Sequence, residues 1–299
     1  MLTTRQKLAF LEKHLTRWYK KWNTIHPGNI VGYRIDKKIV GGKKTRNYAI
    51  VFHVKRKRKE DRLKGDEIIP KSIRIKFPDG QFRNIKTDVE ETGTFQFHVG
   101  SCRKQLNNGY YSVGTAGVFL QDNSQNIYAL TNYHVVGWDL MTHGQFYFQG
   151  ADSQNLTVNN RPSVFREGIL SNQLDAAFIF IPGAPQIPLN IMADGTAING
   201  FITGPISSSI IGKTVRIYSN TKNGVAANVV SNSGIFYTGF EDISITNAIV
   251  LPACTIKGDS GAAVLVGNYL LGIVTGADNN YTYVIPYYKI RNFKPLDIA

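Results

Sequence analysis

The sequence predicts a mostly β protein: a small, basic α+β domain at the amino terminus, followed by an all-β barrel or sandwich domain. Two observations lead to this prediction. Residues 1–100 hold 24 Lys and Arg against 10 Asp and Glu, whereas residues 101–299 hold 11 of each. From Tyr110 onward, short apolar runs alternate with Gly, Asn, Asp and Ser, and no helical period is sustained. We expect the two domains to span residues 1–104 and 105–299.

The first predicted element is an amphipathic helix over residues 4–25. Apolar residues recur there at spacings of three and four, with Lys and Arg between them. Pro27-Gly28 would end the helix. Its apolar face packs on its own domain, or binds a partner or a membrane surface, and the pattern leaves these alternatives open.

Strands are predicted for the rest of the amino-terminal domain. Two β-rich runs, residues 29–40 and 47–57, flank Gly41-Gly42, where a hairpin turn would use the positive φ that glycine tolerates. Residues 68–77 and 85–89 read as further strands before the domain ends near residue 100. In the second domain, Pro182 to Pro188 is a candidate crossing between two halves.

Composition limits the class of protein. The net charge of +14 lies in the first third, which would attract nucleic acid, an anionic membrane or an acidic protein, although no nucleic-acid-binding motif accompanies it. Only two cysteines occur, Cys102 and Cys254, and no run approaches the ~20 apolar residues of a membrane span. Charged residues interrupt the amino terminus where a signal peptide needs an apolar core. We expect a cytoplasmic protein with no transmembrane segment.

Three short motifs in the second domain contain the residues of a nucleophilic site. His134 follows a predicted strand in ALTNYHVVG, Asp175 begins one in QLDAAFIFIP, and Ser260 occupies a glycine-bracketed turn in CTIKGDSGAAVL. A serine hydroxyl is a poor nucleophile until an imidazole takes its proton, and a buried carboxylate holds that imidazole in the right tautomer. Main-chain N–H groups of Gly258 and Ser260 could then converge on a developing oxyanion.

At these residues the sequence resembles the chymotrypsin-fold serine peptidases. TNYHVV is most similar to bacterial and HtrA-type members, and GDSG is similar to the trypsin-like signature. The order His134, Asp175, Ser260 is that of the fold. The resemblance covers residues 109–299 and implies two six-stranded β-barrels, with a crossing near residues 182–212 and the site between the barrels. It also implies that YLLGIVTGAD is the strand that pairs with bound substrate.

The same resemblance suggests a pocket for the residue before the scissile bond. Cys254 would lie near its base, and Thr255, Thr275 and Tyr283 would line it. Trypsin has an aspartate where this chain has Cys254, so a strict preference for Lys or Arg is not indicated. We expect neither a metal nor a cofactor, because no cluster of His, Cys or Asp has ligand spacing.

The amino-terminal third resembles the leader domain of bacterial trypsin-like peptidases related to the plant narrow-leaf protein. One departure concerns the second barrel, where YSNTKNGV replaces a Gly-Arg-Thr-Thr-Gly run. Residues 38–43, KKIVGG, are similar to the activation site of a trypsin-type zymogen, in which cleavage after Lys38 would free Ile39 to pair with Asp259. We favour the hairpin instead, because Ile39 lies 95 residues before His134.

Two functional hypotheses follow. The first is a regulated bacterial serine endopeptidase that acts on protein or peptide substrates inside the cell. The second is a catalytically inactive, protease-like binding or scaffold protein. In either case residues 1–100 are candidates for binding a regulatory partner or nucleic acid.

Overall fold

The computed structural model describes residues 6–7, 10–11, 29–40, 43–59, 62–63, 68–91, 96–97, 102–182, 190–192, 194–219 and 221–299. Of the predicted amphipathic helix, residues 6–7 and 10–11 are described and are helical; its other residues lie outside the described part of the chain, as do residues 183–189 of the predicted crossing. Leu11 is buried in the core of the amino-terminal strands.

Five strands precede the first barrel: β1 (Ile30–Val40), β2 (Lys43–Val54), β3 (Ser72–Lys76), β4 (Phe82–Glu91) and β5 (Gln96–Phe97). Strands β1 and β2 pair antiparallel, with Val40 opposite Lys43. Strands β3 and β4 form a second hairpin, and β4 runs parallel to β2. Gly41 and Gly42 lie outside the described residues, but the strands on either side of them pair as the hairpin prediction requires.

The first barrel contains these elements: β6 (Cys102–Gln105), β7 (Tyr111–Gly114), β8 (Val118–Gln121), β9 (Ile127–Thr131), α1 (Tyr133–Val136), α2 (Trp138–Met141), β10 (Tyr147–Asp152), β11 (Leu156–Val158), β12 (Arg161–Pro162), β13 (Val164–Leu170) and β14 (Asp175–Phe180). One sheet has the order β10-β13-β14-β9-β8, and the other has the order β12-β11-β6-β7. The edge strand β8 also pairs with the last strand of the chain.

The second barrel contains the remaining elements: β15 (Gly200–Phe201), a one-turn 3₁₀ helix (Ser208–Ile210), β16 (Thr214–Tyr218), β17 (Asn223–Asn228), β18 (Ser231–Tyr237), β19 (Ser244–Pro252), β20 (Ala263–Val266), β21 (Tyr269–Ala277), β22 (Tyr281–Pro286), α3 (Tyr287–Phe293) and β23 (Asp297–Ile298). Its sheet order is β17-β16-β20-β21-β22-β19-β18. Within the described ranges, no helix has the length and apolar character that a membrane crossing needs.

Both faces of β19 are buried from Ala248 to Leu251, and this explains the continuous apolar run at those positions. Ile249 and Leu251 belong to the core inside the second barrel, whereas Ala248 and Val250 belong to the larger core shared with the first barrel. Alternate residues of a strand point to opposite faces, so one strand contributes to both cores. The predicted double-barrel fold is confirmed.

The sheet of the second barrel continues into the amino-terminal strands. Strand β1 pairs antiparallel with β18, with Tyr33 opposite Ile235. The order then runs β18-β1-β2-β4-β3. Ile235 is buried in the same apolar core as Tyr33 and Phe52. The amino-terminal strands are therefore an extension of the barrel sheet.

A buried polar network joins this extension to the second barrel. The Arg34 side chain is 1% exposed, and its guanidinium donates to Glu90 Oε2 at 2.9 Å and to the Tyr281 hydroxyl at 2.7 Å. It also contacts His53 Nε2. A buried cation is tolerated only where such partners replace water. Arg34 thus ties β4 to β22.

His53 extends the network into the barrel. Its Nε2 faces Arg34, which only donates, so Nε2 accepts and the ring proton resides on Nδ1. Nδ1 then donates to the Tyr283 hydroxyl at 2.8 Å, and Tyr283 donates to Asp278 at 2.9 Å. Burial, reinforced by the positive charge of Arg34, holds the pKa of His53 well below its usual value. The ring is neutral in the folded chain.

We predict that, as the pH is lowered, the free energy of unfolding decreases more steeply in the wild type than in a His53→Gln variant. Because the pKa is depressed by folding, the unfolded chain takes up the His53 proton first as the pH drops below about 6.5. The wild type should lose about 1 to 2 kcal/mol more than the variant between about pH 7 and 5. Denaturant titrations at several pH values measure this, and parallel pH profiles would contradict it.

Candidate active site

The three candidate catalytic residues come from separate elements that the sheets bring together. His134 lies on α1, directly after β9, and Asp175 is the first residue of β14. Strands β9 and β14 are neighbours, with Thr131 opposite Ala177, so the carboxylate lies beside the helix. Ser260 occupies the turn between β19 and β20. His134 and Asp175 are 41 positions apart in the sequence, and Asp175 and Ser260 are 85 positions apart, yet the three share one site.

His134 lies between the other two side chains. Its Nδ1 is 2.6 Å from Asp175 Oδ2, and its Nε2 is 3.1 Å from Ser260 Oγ. The three residues are 2%, 0% and 0% exposed, respectively. An ionised carboxylate only accepts hydrogen bonds, so Nδ1 carries the ring proton and Nε2 is left to accept one from the serine. This is the arrangement a general base needs.

Asp175 is held by further donors. The main-chain N–H of His134 donates to Oδ1 at 3.1 Å, and the Thr275 hydroxyl donates to Oδ2 at 2.7 Å. The Asn132 side-chain amide donates to the main-chain oxygen of Asp175 at 2.9 Å. Thr275 was predicted to line the substrate pocket, but its hydroxyl is committed to Asp175. Thr275 is thus placed to hold the carboxylate, a contact that sequence spacing did not indicate.

The turn before Ser260 orients two main-chain donors. The carbonyls of Gly258 and Ser260 accept hydrogen bonds from the Thr115 hydroxyl and main-chain N–H, at 2.8 and 2.7 Å. Gly258 has φ +122°, in the region that glycine adopts readily. Among the described residues, neither N–H of Gly258 and Ser260 has a protein acceptor. Both are therefore available to an oxyanion.

Gly261 is required by close packing behind the serine. Its φ is +89°, and a Cβ at this position would lie 2.0 Å from the Thr115 main-chain oxygen. No side chain fits such a space. The glycine after the serine thus lets the turn rest against the first barrel, which brings Ser260 within reach of His134.

Asp259 is fully buried, and its carboxylate has partners in the second barrel. Its Oδ1 accepts from the hydroxyls of Ser219 and Thr221, and its Oδ2 accepts from the main-chain N–H of Ile256 at 2.9 Å. The Lys222 ammonium lies 3.9 Å from Oδ2. Ser219, Thr221 and Lys222 belong to YSNTKNGV, the stretch that differs from the Gly-Arg-Thr-Thr-Gly run of the resembled peptidases. Lys222 supplies the positive charge that a zymogen-type terminus would bring.

Three other residues were predicted to line the substrate pocket. Cys254 and Thr255 lie together, whereas Tyr283 lies in the His53 network. Cys254 Sγ is 3.7 Å from the Thr282 hydroxyl, which is itself 2.9 Å from the Thr255 hydroxyl. Burial raises the pKa of the Cys254 thiol, so it stays protonated at neutral pH. Tyr283 is 1% exposed and belongs to the His53 network. Thr282, which sequence reasoning missed, is the contact shared by Cys254 and Thr255.

No candidate metal site occurs in the described ranges, where no three His, Cys, Asp or Glu side chains group in a way that could hold an ion.

No protein-family model matches the chain, and no curated protein matches it. Among solved structures, Thermobifida fusca protease A matches with a TM-score of 0.50 and 16% identity, over 68% of this chain and 98% of that chain. A Nocardiopsis protease has a TM-score of 0.49 and 15% identity over the same shares. Cellulomonas bogoriensis chymotrypsin has 0.46 and 16%, again over 68% and 98%. The likeness to the Thermobifida fusca enzyme shows that this chain has the chymotrypsin fold.

We predict that Lys222→Met lowers the free energy of unfolding by about 1 to 3 kcal/mol, because it leaves the buried Asp259 carboxylate without a cation. Lys222→Arg should restore most of the loss. The exposed Lys213 is the matched control, and Lys213→Met should change stability by less than about 0.5 kcal/mol. Chemical denaturation measures all three variants, and equal stability of Lys222→Met and wild type would refute the role.

Proposed function

We propose that the chain is a serine endopeptidase that hydrolyses peptide bonds through an acyl-enzyme. The observation that supports this most directly is the position of His134, within hydrogen-bonding distance of both Asp175 and Ser260. The available N–H groups of Gly258 and Ser260 add a second requirement of acyl transfer, a place for the oxyanion. The fold agrees with this chemistry, although fold alone does not establish activity.

The proposed reaction has two halves. In the first, Ser260 Oγ attacks the peptide carbonyl carbon while His134 Nε2 takes the serine proton; the C–N bond then breaks and His134 returns the proton to the leaving amine. In the second, His134 takes a proton from water, whose oxygen attacks the acyl carbon. The bond between that carbon and Ser260 Oγ then breaks, His134 returns the proton to Oγ, and the carboxylic acid product leaves. Asp175 holds the imidazole throughout. Each N–H donor to the oxyanion contributes about 100- to 1,000-fold in rate.

Peptide substrates are proposed to bind along the end of β21. Ser260 Oγ lies 3.4 Å from the main-chain oxygen of Thr275, so the strand passes directly beside the nucleophile. An extended peptide paired with Thr275 and the next two residues would bring its carbonyl to the serine. Of the described residues around Cys254, Asp259 carries a carboxylate, and its partners are Ser219, Thr221 and Lys222. We therefore propose no strict preference for Lys or Arg.

The alternative is a binding protein that uses its basic amino-terminal strands. Arg74, Lys76 and Lys86 are exposed on β3 and β4, and the Phe82 ring among them is 55% exposed. Such a face suits nucleic acid or an acidic protein. We propose it as a partner site of residues 1–104 in a regulated, intracellular, HtrA-like or narrow-leaf-related peptidase. A binding protein alone would need no reactive serine, which separates the two functions experimentally.

We predict that a fluorophosphonate probe labels Ser260 in the folded protein, as located by peptide mass spectrometry. His134→Ala should slow labelling by about 1,000-fold or more, because the serine loses its base. Ser163, a buried serine of the first barrel, is the matched control, and Ser163→Ala should label like the wild type. Absence of labelling at Ser260 after prolonged incubation would refute the endopeptidase proposal.

We also predict that Thr275→Val lowers kcat/KM for peptide hydrolysis by about 10- to 100-fold, since it removes one hydrogen bond to the charged carboxylate while keeping the side-chain shape. Thr275→Ser retains the hydroxyl and should recover most of the activity. If the Thr275 hydroxyl contributed to folding stability alone, Thr275→Val and Thr275→Ser would have the same kcat/KM when both proteins are fully folded.

A further inference from the structure

The end of β21 is an edge of the barrel sheet. Within the described part of the chain, strand β20 pairs with β21 as far as Ile273, and the residues beyond it have β22 on one side and no barrel strand on the other. Strand β5 occupies that second side. It pairs antiparallel with β21, with Phe97 opposite Gly276 and Gln96 opposite Ala277. The chain itself therefore fills the main-chain positions proposed for substrate.

The direction of β5 matches that of a substrate. Because the pairing is antiparallel, the step from Gln96 to Phe97 runs from Ala277 towards Gly276, and hence towards Thr275 and Ser260. An extended peptide that reached Ser260 in this orientation would use the same N–H and C=O groups of Gly276 and Ala277. One edge pairs with one strand, so β5 and a substrate exclude each other.

The approach of β5 to this edge is set by the end of β4. The Asn280 side-chain amide donates to the main-chain oxygen of Glu91 at 2.8 Å, and the Tyr281 hydroxyl donates to Glu90 at 2.8 Å. Asn280 and Tyr281 lie in the turn and strand that follow β21. Only four residues separate Glu91 from Gln96. A tether this short gives β5 an effective concentration in roughly the millimolar range at the edge.

We propose that β5 is an internal competitive inhibitor of the peptidase, held on the substrate edge by the anchor of Glu90 and Glu91 on the second barrel. This inference rests on the proposed function and adds its regulation. The ligand that β5 imitates is the main chain of an extended, unfolded protein segment. Peptide binding is weakened by the fraction of molecules in which β5 is paired, and release of β5 restores it.

The test compares two double variants that differ in the main-chain donors. Gln96→Pro with Phe97→Pro removes both N–H groups, whereas Gln96→Ala with Phe97→Ala keeps them after the same loss of side chains. With fluorescence-quenched casein as substrate, kcat/KM should be at least about tenfold higher in the proline variant, chiefly through a lower KM. A small fluorophosphonate, which needs no strand pairing, reports whether Ser260 is reactive in both.

The outcomes separate the two proposals. Equal casein cleavage by two variants that both label with the fluorophosphonate would overturn the inhibitor and leave the peptidase intact. Failure of the wild type and of the folded variants to label would overturn the peptidase itself.

A second measurement does not depend on activity. In a Ser260→Ala background, amide hydrogen exchange of residues 275–277 should be at least about tenfold faster in the proline variant than in the alanine variant. Equal exchange would overturn the inhibitor.

If the proline variant does not fold, Asn280→Ala takes its place, since it loosens the anchor without changing β5. This variant should raise casein cleavage by about threefold, and an unchanged rate would overturn the proposal.

Discussion

The buried guanidinium of Arg34 constrains the rest of this structure. A charge taken out of water is stable only with partners that replace the water. The partners of Arg34 come from both sides of the junction between the amino-terminal strands and the second barrel. Glu90 belongs to the amino-terminal strands and Tyr281 to the second barrel. Loss of either side would take a hydrogen-bond partner from this buried charge. Together with the pairing of β1 and β18, this fixes the extension on the barrel and places the end of β4 beside the end of β21. The location of β5 follows from that placement.

The same rule explains the turn that holds Ser260. Asp259 is a buried carboxylate in the turn, and its need for donors and a cation is met by Ser219, Thr221 and Lys222 from a neighbouring hairpin. A trypsin-type zymogen meets that need only after cleavage. Ile39, the residue that resembled such a terminus, is instead paired with Lys44 within β1 and β2. The partners of Asp259 are thus residues of the second barrel itself.

Local motifs predicted the candidate triad because its residues carry strong short-range signatures. His134 follows a strand, and Ser260 is enclosed by glycines that the turn geometry demands. The supporting residues have no such signature. Thr275 became part of the site through its hydrogen bond to Asp175, 100 residues away in sequence, and Lys222 through its position opposite Asp259. His53 had no context in the sequence, since its partners come from two other strands, β1 and β22. Long-range pairing, which periodicity does not encode, determined these roles.

The energetics of β5 suit a reversible inhibitor. A two-residue strand makes few hydrogen bonds, each contributing about 0.5 to 1.5 kcal/mol net, so β5 would not stay on the edge if it were free in solution. Its occupancy depends on the tether, and the tether depends on the Arg34 network. An event that loosens this network lowers the effective concentration of β5 without touching the site. Glu90 of the network and the exposed Lys86 lie on the same strand, β4. Under the proposed regulation, a partner bound to that strand would bias the equilibrium by a differential affinity of only about 1 to 3 kcal/mol. Such coupling would need no cleavage of the chain, and it would give the amino-terminal extension a physical means of controlling access to Ser260.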